Sequence, residues 1–271
     1  MLVDLHVHTT ASDGTYEPEQ ILEAARQEGI EVISITDHDT IDGLAEVPKG
    51  ETFVVFIPGV EISAEYPSTL HILGYGIDPE NKELCSTLDK LQRYRNRRNE
   101  FMLERMRNFG FHIEMEELIE EAGGELIGRP HFANLMVKKG YVSSYQEAFD
   151  KYLKKGAPLY MDKKRLSPER AIELIHAAGG ITVLAHPYQA ETDPERLERL
   201  VQSLVNHGLD GIEVFYSQHS QTQIEEYLHL AKKYDLLITA GSDFHGKNKP
   251  NIPLGLNVSY GHLKRFLCEV L

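Results

Sequence analysis

The chain is short of cysteine, of positive charge and of long apolar runs, and each shortage removes a class of protein. Only two cysteines occur, Cys85 and Cys268, far apart and outside any metal-ligand spacing. They are expected to be ordinary reduced thiols of a cytoplasmic protein, not part of a disulfide framework. Against 42 Asp and Glu there are 28 Lys and Arg, a formal net charge of -14. Such a balance speaks against an extended grip on long nucleic acid, which needs a broad basic surface. It leaves room for a small anion or a chain end reaching a metal site, and carboxylates gathered around cations would themselves raise the negative count. No run approaches the roughly 18 apolar residues of a membrane span. The first residues enter a strand at once, with neither a basic n-region nor a small-residue cleavage site, so no targeting segment is expected.

What remains is a chain of 271 residues with 41% hydrophobic content and 13 histidines. That is enough for one large domain, or one domain carrying an insertion. In Asp4-Leu5-His6-Val7-His8 apolar and polar positions alternate, as in a strand over residues 2–8. Successive side chains of a strand point to opposite faces, so His6 and His8 share one face and can hold one metal ion. Further strands are predicted over 31–36, 52–57, 70–77, 181–185, 211–215 and 236–240, separated by helical patterns that start near Pro18, Pro168, Pro194 and Thr222. Between residues 81 and 159 no strand is found. Apolar residues there recur at three- and four-residue steps (Leu84, Leu88, Leu91, Tyr94, then Phe101, Met102, Met106 and Phe109). Shorter helical pieces follow over 115–122, 131–139 and 145–154. The expected organisation is therefore an α/β fold with a parallel sheet of about seven strands closed as a barrel, built from residues 1–80 and 160–271, with an all-helical insertion over 81–159. In such barrels the chemistry lies at the C-terminal ends of the strands. His6, His8, His38, Glu61, His71, His186, Asp243 and His245 all fall at or near predicted strand ends, which favours metal ligands over scattered core histidines. The sixth strand, ending in Val214-Phe215-Tyr216, supplies none.

The ordered motifs Asp4-Leu5-His6-Val7-His8, Asp13-Gly14, Thr36-Asp37-His38-Asp39, Gly59-Val60-Glu61, Ala185-His186-Pro187 and Ser242-Asp243-Phe244-His245 resemble those of the PHP (polymerase and histidinol phosphatase) family. The resemblance implies a distorted, TIM-like seven-stranded barrel binding two or three divalent ions of manganese, iron or zinc. It implies one ion on His6, His8, Glu61 and Asp243, a second on Glu61, His71 and His186, and a third on Asp13, His38 and His245. Asp243, His186 and His71 are the implied proton-handling groups. Gly128-Arg129-Pro130-His131, on the insertion, resembles the branch acting on nucleotides or the 5′ ends of short RNA. Arg129 and His131 are then candidate substrate-binding residues. The expected activity is metal-dependent hydrolysis of phosphate esters of nucleotides (a monophosphate, a 3′,5′-bisphosphate or a short oligoribonucleotide end). The alternatives are a phosphatase for a metabolite such as histidinol phosphate and a non-catalytic metal-binding barrel. Expected partners are small phosphorylated substrates, with neither a membrane nor an extended nucleic-acid surface. Asp37 and Asp39 read equally as groups orienting His38 or as loop and cap residues. The cluster Arg93, Arg95, Arg97 and Arg98 reads as a solvated helix face, and His112, His176, His207, His219, His229 and His262 as surface or packing residues.

Overall fold

A computed structural model describes residues 1–47, 54–122 and 127–271. Eight strands form one sheet: β1 (Leu2–Val7), β2 (Val32–Ile35), β3 (Val55–Ala64), β4 (Leu70–Tyr75), β5 (Ile181–Leu184), β6 (Gly211–Tyr216), β7 (Leu237–Gly241) and β8 (Leu256–Asn257). Their order is β7-β6-β5-β4-β3-β2-β1-β8. The two sides of the sheet also meet. The His8 amide donates to the Phe244 carbonyl at 2.9 Å and the Asp243 amide to the His6 carbonyl at 2.8 Å, so the sheet curls into a nearly closed α/β barrel. Gly241 permits that approach, since a Cβ there would stand 2.2 Å from the His6 Cβ. Among the described residues no helix is long and apolar enough to cross a membrane.

Three expectations are corrected. The barrel has an eighth strand, β8, only two residues long and antiparallel to β1; two residues carry too little periodicity to be seen in a sequence. The third strand does not stop before Pro58-Gly59 but runs on to Ala64. Gly59 lets it do so, because a Cβ there would meet Ser34 Oγ at 2.5 Å. The part of the predicted third strand at residues 52 and 53 lies outside the described residues. The sheet is also not wholly parallel, because β4 pairs antiparallel with both β3 and β5. Five residues join β3 to β4, whereas a parallel crossover needs about a dozen or more. The reversal matters for the site. It brings the N-terminal end of β4, where His71 sits, to the rim at which the other strands end.

The long helix Lys82–Asn108 serves two cores. Leu84, Leu88 and Leu91 pack with Ile172 and Ile175 against the barrel. Met102 and Met106 pack with Leu118, Phe132, Met136 and Leu159 in a separate cluster drawn from residues 102–159. Between the two, the buried stripe continues through Arg95 and Arg98, 5% and 7% exposed. Tyr94, Phe101 and Phe109, read from sequence as part of the apolar face, are the exposed ones. The arginine cluster is therefore only half a solvated face: Arg93 and Arg97 are exposed, while Arg95 and Arg98 turn inward. The steps 84, 88, 91, 95, 98, 102 keep one helix face throughout, and two arginines occupy it where the helix crosses from one core to the other.

Candidate metal centre and adjoining cleft

The barrel rim gathers all nine sequence-predicted ligands. Their donor atoms form four overlapping groups, each within 4.8 Å: His8, Asp13, His38 and His245; His6, Glu61 and His186; His6, His8 and Asp243; His38, Glu61 and His71. Glu61 lies at the middle. Its Oε1 is 2.8 Å from His71 Nδ1, 3.0 Å from His186 Nε2 and 3.4 Å from His6 Nε2, and its Oε2 is 2.7 Å from His38 Nδ1 and 3.4 Å from His8 Nε2. Asp243 Oδ1 stands 3.2 Å from His8 Nε2, and Asp13 Oδ1 3.1 Å from His245 Nε2. The backbone is bent to make this cluster. Asp39, His186 and Asp243 all have positive φ (51°, 25° and 61°), which costs a non-glycine residue about 1–3 kcal/mol and is commonly retained at functional sites.

Electrostatics in the cluster run in opposed directions. Burial alone would lower the His6 imidazole, but Glu213 and Glu61 carry it well above the usual range. His38 is raised too, Glu61 and Asp13 outweighing burial. Burial, with His245 and His38 alongside, pushes His8 well down, and burial takes His71 down to about 4. Burial would raise the carboxyls of Glu61, Asp13 and Asp243, but the surrounding imidazoles hold all three well below their ordinary range.

Does this donor set fit cations? Buried polar atoms nearly always have partners, yet His6 Nε2, His8 Nε2, His38 Nδ1 and Glu61 Oε2, for all their closeness to one another, form no aligned hydrogen bond among the described residues. Lone pairs of imidazole nitrogen and carboxylate oxygen converging without donors are what borderline divalent ions require. The residues fit.

Several residues that support the cluster escaped the sequence reading. The sixth strand does contribute. Glu213 of β6, fully buried, takes His6 Nδ1 at 2.9 Å and the His186 amide at 2.7 Å. A His6 Nδ1–H donated to Glu213 leaves the Nε2 lone pair facing the cluster, the arrangement that orients metal-binding imidazoles generally. An acidic residue inside Gly211-Ile-Glu-Val-Phe-Tyr216 was the available signal. Tyr216 Oη and Lys249 Nζ donate to Asp243 Oδ2 at 2.7 and 2.5 Å. Asp4 accepts from the Ser242 amide at 2.8 Å and the Gly255 amide at 2.7 Å, fixing the turn that carries Asp243. Asp37 anchors the loop after β1 through Thr9 N and Oγ1 at 2.8 and 2.6 Å. Asp39 takes the Ser63 amide at 2.7 Å, Lys163 at 3.2 Å and a close ion pair from Arg95. Neither aspartate caps a helix. Of the other histidines, His176 pairs with Asp210 at 2.8 Å and His219 Nδ1 bonds the Val214 carbonyl at 2.9 Å, both outside the cluster.

Glu213→Gln gives a sharp test of that support. Its two oxygens accept from two different N–H groups, and an amide can serve only one. Turned one way, the amide N–H₂ meets the His186 N–H. Turned the other, it forces the His6 proton onto Nε2 and removes the lone pair from the cluster. The expected result is about ten- to a hundredfold weaker divalent-ion affinity by titration calorimetry, with the far-UV spectrum unchanged. Unchanged affinity would mean that Glu213 merely fills space.

A cleft of about 180 Å³ opens beside the cluster, lined by Asp13, His38 and His71 on the barrel side and by Arg95, Arg98, His131 and Lys163 facing them. His131, half-buried, accepts the Gly128 N–H at Nδ1 (3.1 Å), so its neutral ring carries the proton on Nε2. Arg129 is placed differently. It lines a second, outer basin, where it donates to the Leu153 carbonyl at 3.2 Å and lies over the Tyr160 ring at 5.1 Å.

The fold and the site define an α/β barrel with a buried nitrogen-and-oxygen metal-type centre at its rim. Residues 4–166 match the PHP domain family, and the chain belongs to it. It is 35% identical over 250 residues to the 5′-3′ exoribonuclease Rnm of Escherichia coli, covering 90% of this chain and 85% of that one. It is 32% identical over 264 residues to the 3′,5′-nucleoside bisphosphate phosphatase of Chromobacterium violaceum, covering 93% and 90%. A solved structure from Bifidobacterium adolescentis, provisionally described as a metal-dependent phosphoesterase, superposes with a TM-score of 0.80 at 32% identity, covering 98% of this chain and 95% of that one.

Proposed function

We propose that the chain is a metal-dependent hydrolase of nucleotide phosphate esters, acting on a nucleoside 3′,5′-bisphosphate or the 5′ end of a short oligoribonucleotide. The observation that carries this reading is the cationic cleft opening directly onto the histidine–carboxylate cluster. His6, His8, Asp13, His38, Glu61, His71, His186, Asp243 and His245 would hold two or three divalent ions of manganese, iron or zinc. Ions bound there lower the pKa of water to supply a nucleophile and offset phosphoryl charge. The chain's own residues do the rest. Arg95, Arg98 and Lys163 give the substrate phosphate a fixed set of donors, and His131 adds Nε2–H. Burial pushes Lys163 down to about 8, against the pull of Asp39, so it is still charged at neutral pH. Asp243, a carboxylate at neutral pH because the imidazoles beside it outweigh its burial, can take the proton of the attacking water only as a weak base, so most of the activation would fall to the ions. Where only two ions are held, His71 or His186 is freed to pass that same proton on to the leaving alkoxide. The helical insertion over 81–159 supplies most of the wall facing the barrel, and with it the choice of ester.

Histidinol phosphate fits less well, because its ammonium group would enter a cleft edged by Arg95, Arg98 and Lys163. A non-catalytic barrel would be expected to lack donors, and none of the nine is missing. The test is phosphate release from a panel of nucleoside bisphosphates, 5′-phosphorylated oligoribonucleotides, a cyclic phosphodiester and histidinol phosphate, with manganese added. Preference for histidinol phosphate would refute the reading. A variant sharpens it. Asn at position 131 keeps an acceptor for the Gly128 N–H but removes the outward donor. His131→Asn is expected to lower kcat/KM on the best nucleotide by about tenfold, the worth of a charge-assisted hydrogen bond, with metal content unchanged. A small chromogenic phosphodiester should hardly respond. Equal losses on both would make His131 a structural cap.

A further inference from the structure

The cations beside the metal-type centre are arranged in two tiers. The inner tier, Arg95, Arg98 and Lys163, lines the cleft against His38 and His71. The outer tier, Arg129, Lys155 and Arg165, lines a basin of about 610 Å³. The two spaces share Arg98, Gly128, Pro130 and Lys163 as walls, so they are one passage leading outward from the centre. The inner cleft is smaller than the roughly 300–1,000 Å³ of a pocket for a drug-sized ligand, and the outer basin falls within that range.

Charge makes the outer tier hard to explain as surface decoration. In a chain of net charge -14, the basin is lined by five cationic residues and only two acidic ones, Glu65 and Asp162. Asp162 is already engaged by Tyr160 Oη at 2.5 Å. The cations press on one another: burial, and then Arg95, Arg129 and Arg165, pull the Arg98 guanidinium down to about 10. Arg95, nine-tenths buried, has one guanidinium nitrogen with no hydrogen-bond partner among the described residues. Like charges are held together at a cost that an anionic ligand would offset. One further phosphate is served by the inner tier alone. The outer tier lies a step farther out, and two tyrosines, Tyr66 and Tyr160, line the basin with it. Cations that track a backbone, set beside aromatic rings, are the means by which proteins hold single-stranded nucleic acid without reading its sequence.

We propose that the outer basin is a binding subsite for the nucleotides that follow the one at the metal-type centre, so that the preferred substrate is an oligonucleotide and not a lone nucleoside bisphosphate. The proposal rests on the nucleotide reading given above and narrows it.

The test compares a 5′-phosphorylated trinucleotide with a nucleoside 3′,5′-bisphosphate on the manganese-loaded protein, using the wild type, Lys155→Glu and the double variant Lys155→Ala/Arg165→Ala. Lys155 is exposed, so the single variant is safe for folding. The wild type is expected to favour the trinucleotide by about tenfold or more in kcat/KM. Both variants should lose about tenfold on the trinucleotide while staying within about twofold on the bisphosphate. For the double variant, the salt dependence of trinucleotide binding, read by fluorescence anisotropy of a 3′-labelled chain on metal-free protein, should become shallower by about one to two phosphate contacts. Equal turnover of the two substrates by the wild type, or variants that lower both or neither, would overturn the subsite and leave the nucleotide reading standing. If the wild type turns over neither substrate but does hydrolyse another phosphate ester, the nucleotide reading falls and the subsite with it.

Discussion

Glu61→Gln is expected to lower kcat by about a thousandfold, equivalent to about 4 kcal/mol of barrier, whereas His71→Ala should cost about tenfold. The difference follows from position. Glu61 is fully buried with five imidazoles around its two oxygens, at 2.7 to 3.4 Å. An amide of the same shape keeps one acceptor and turns two N–H donors toward nitrogens that must stay free of protons to bind a cation. It also removes the negative charge closest to the middle of the cluster. Two of the overlapping donor groups contain Glu61, so one substitution weakens both. His71 belongs to a single group, at the edge of the cleft, and its loss removes one neutral donor. Turnover at saturating manganese, with elemental analysis of each variant, separates the two. Equal and mild losses would show that Glu61 does not join two ions.

The rim was legible in the sequence because strand periodicity and metal chemistry leave local marks. His6 and His8 share a face through the two-residue repeat, and His186 and Asp243 follow β-branched or small-residue runs directly. What was not legible depended on partners distant in the chain. The direction of β4 was in principle available, since five residues between β3 and β4 permit only a reversal, but the alternation of strands and helices elsewhere argued for a parallel sheet. Charge in a sequence reads as exposure, so the arginines of the long helix read as a solvated face. Arg95 is buried because Asp39, 56 residues earlier, supplies the counter-charge, and no local pattern announces that pair. Glu213 is hidden for the opposite reason. It sits among apolar residues of β6 and looks like an isolated anomaly until His6 and His186 are seen against it. The displacement of Arg129 into the outer basin has the same origin. Its neighbours in sequence face the cleft, but its guanidinium is held by the Leu153 carbonyl and the Tyr160 ring.

Removal of divalent ions by a chelator is expected to abolish turnover, and manganese to restore it, with at least two ions per chain on reloading. The metal-free cluster is poorly satisfied, with four buried donor atoms that lack hydrogen bonds among the described residues. Each ion present at a hundred times its dissociation constant adds about 2.7 kcal/mol to stability. Two ions should then raise the melting temperature by roughly 10 °C or more, given about 2–4 °C per kcal/mol for a domain of this size. Loading should depend steeply on pH, and the sign can be worked out. His6 and His38 have raised pKa values, through Glu213 and Glu61 for the first and Glu61 and Asp13 for the second, in each case against burial. Below those values both rings carry protons in the metal-free chain, and ions must displace them. Affinity should therefore fall as pH falls, by up to about a hundredfold per unit once both rings are protonated, and level off above the two pKa values. Calorimetric titrations at a series of pH values, in buffers of different ionisation enthalpy, count the released protons directly. At most one ion per chain in excess manganese, or an affinity independent of pH, would show that the nine residues do not act as a multinuclear site.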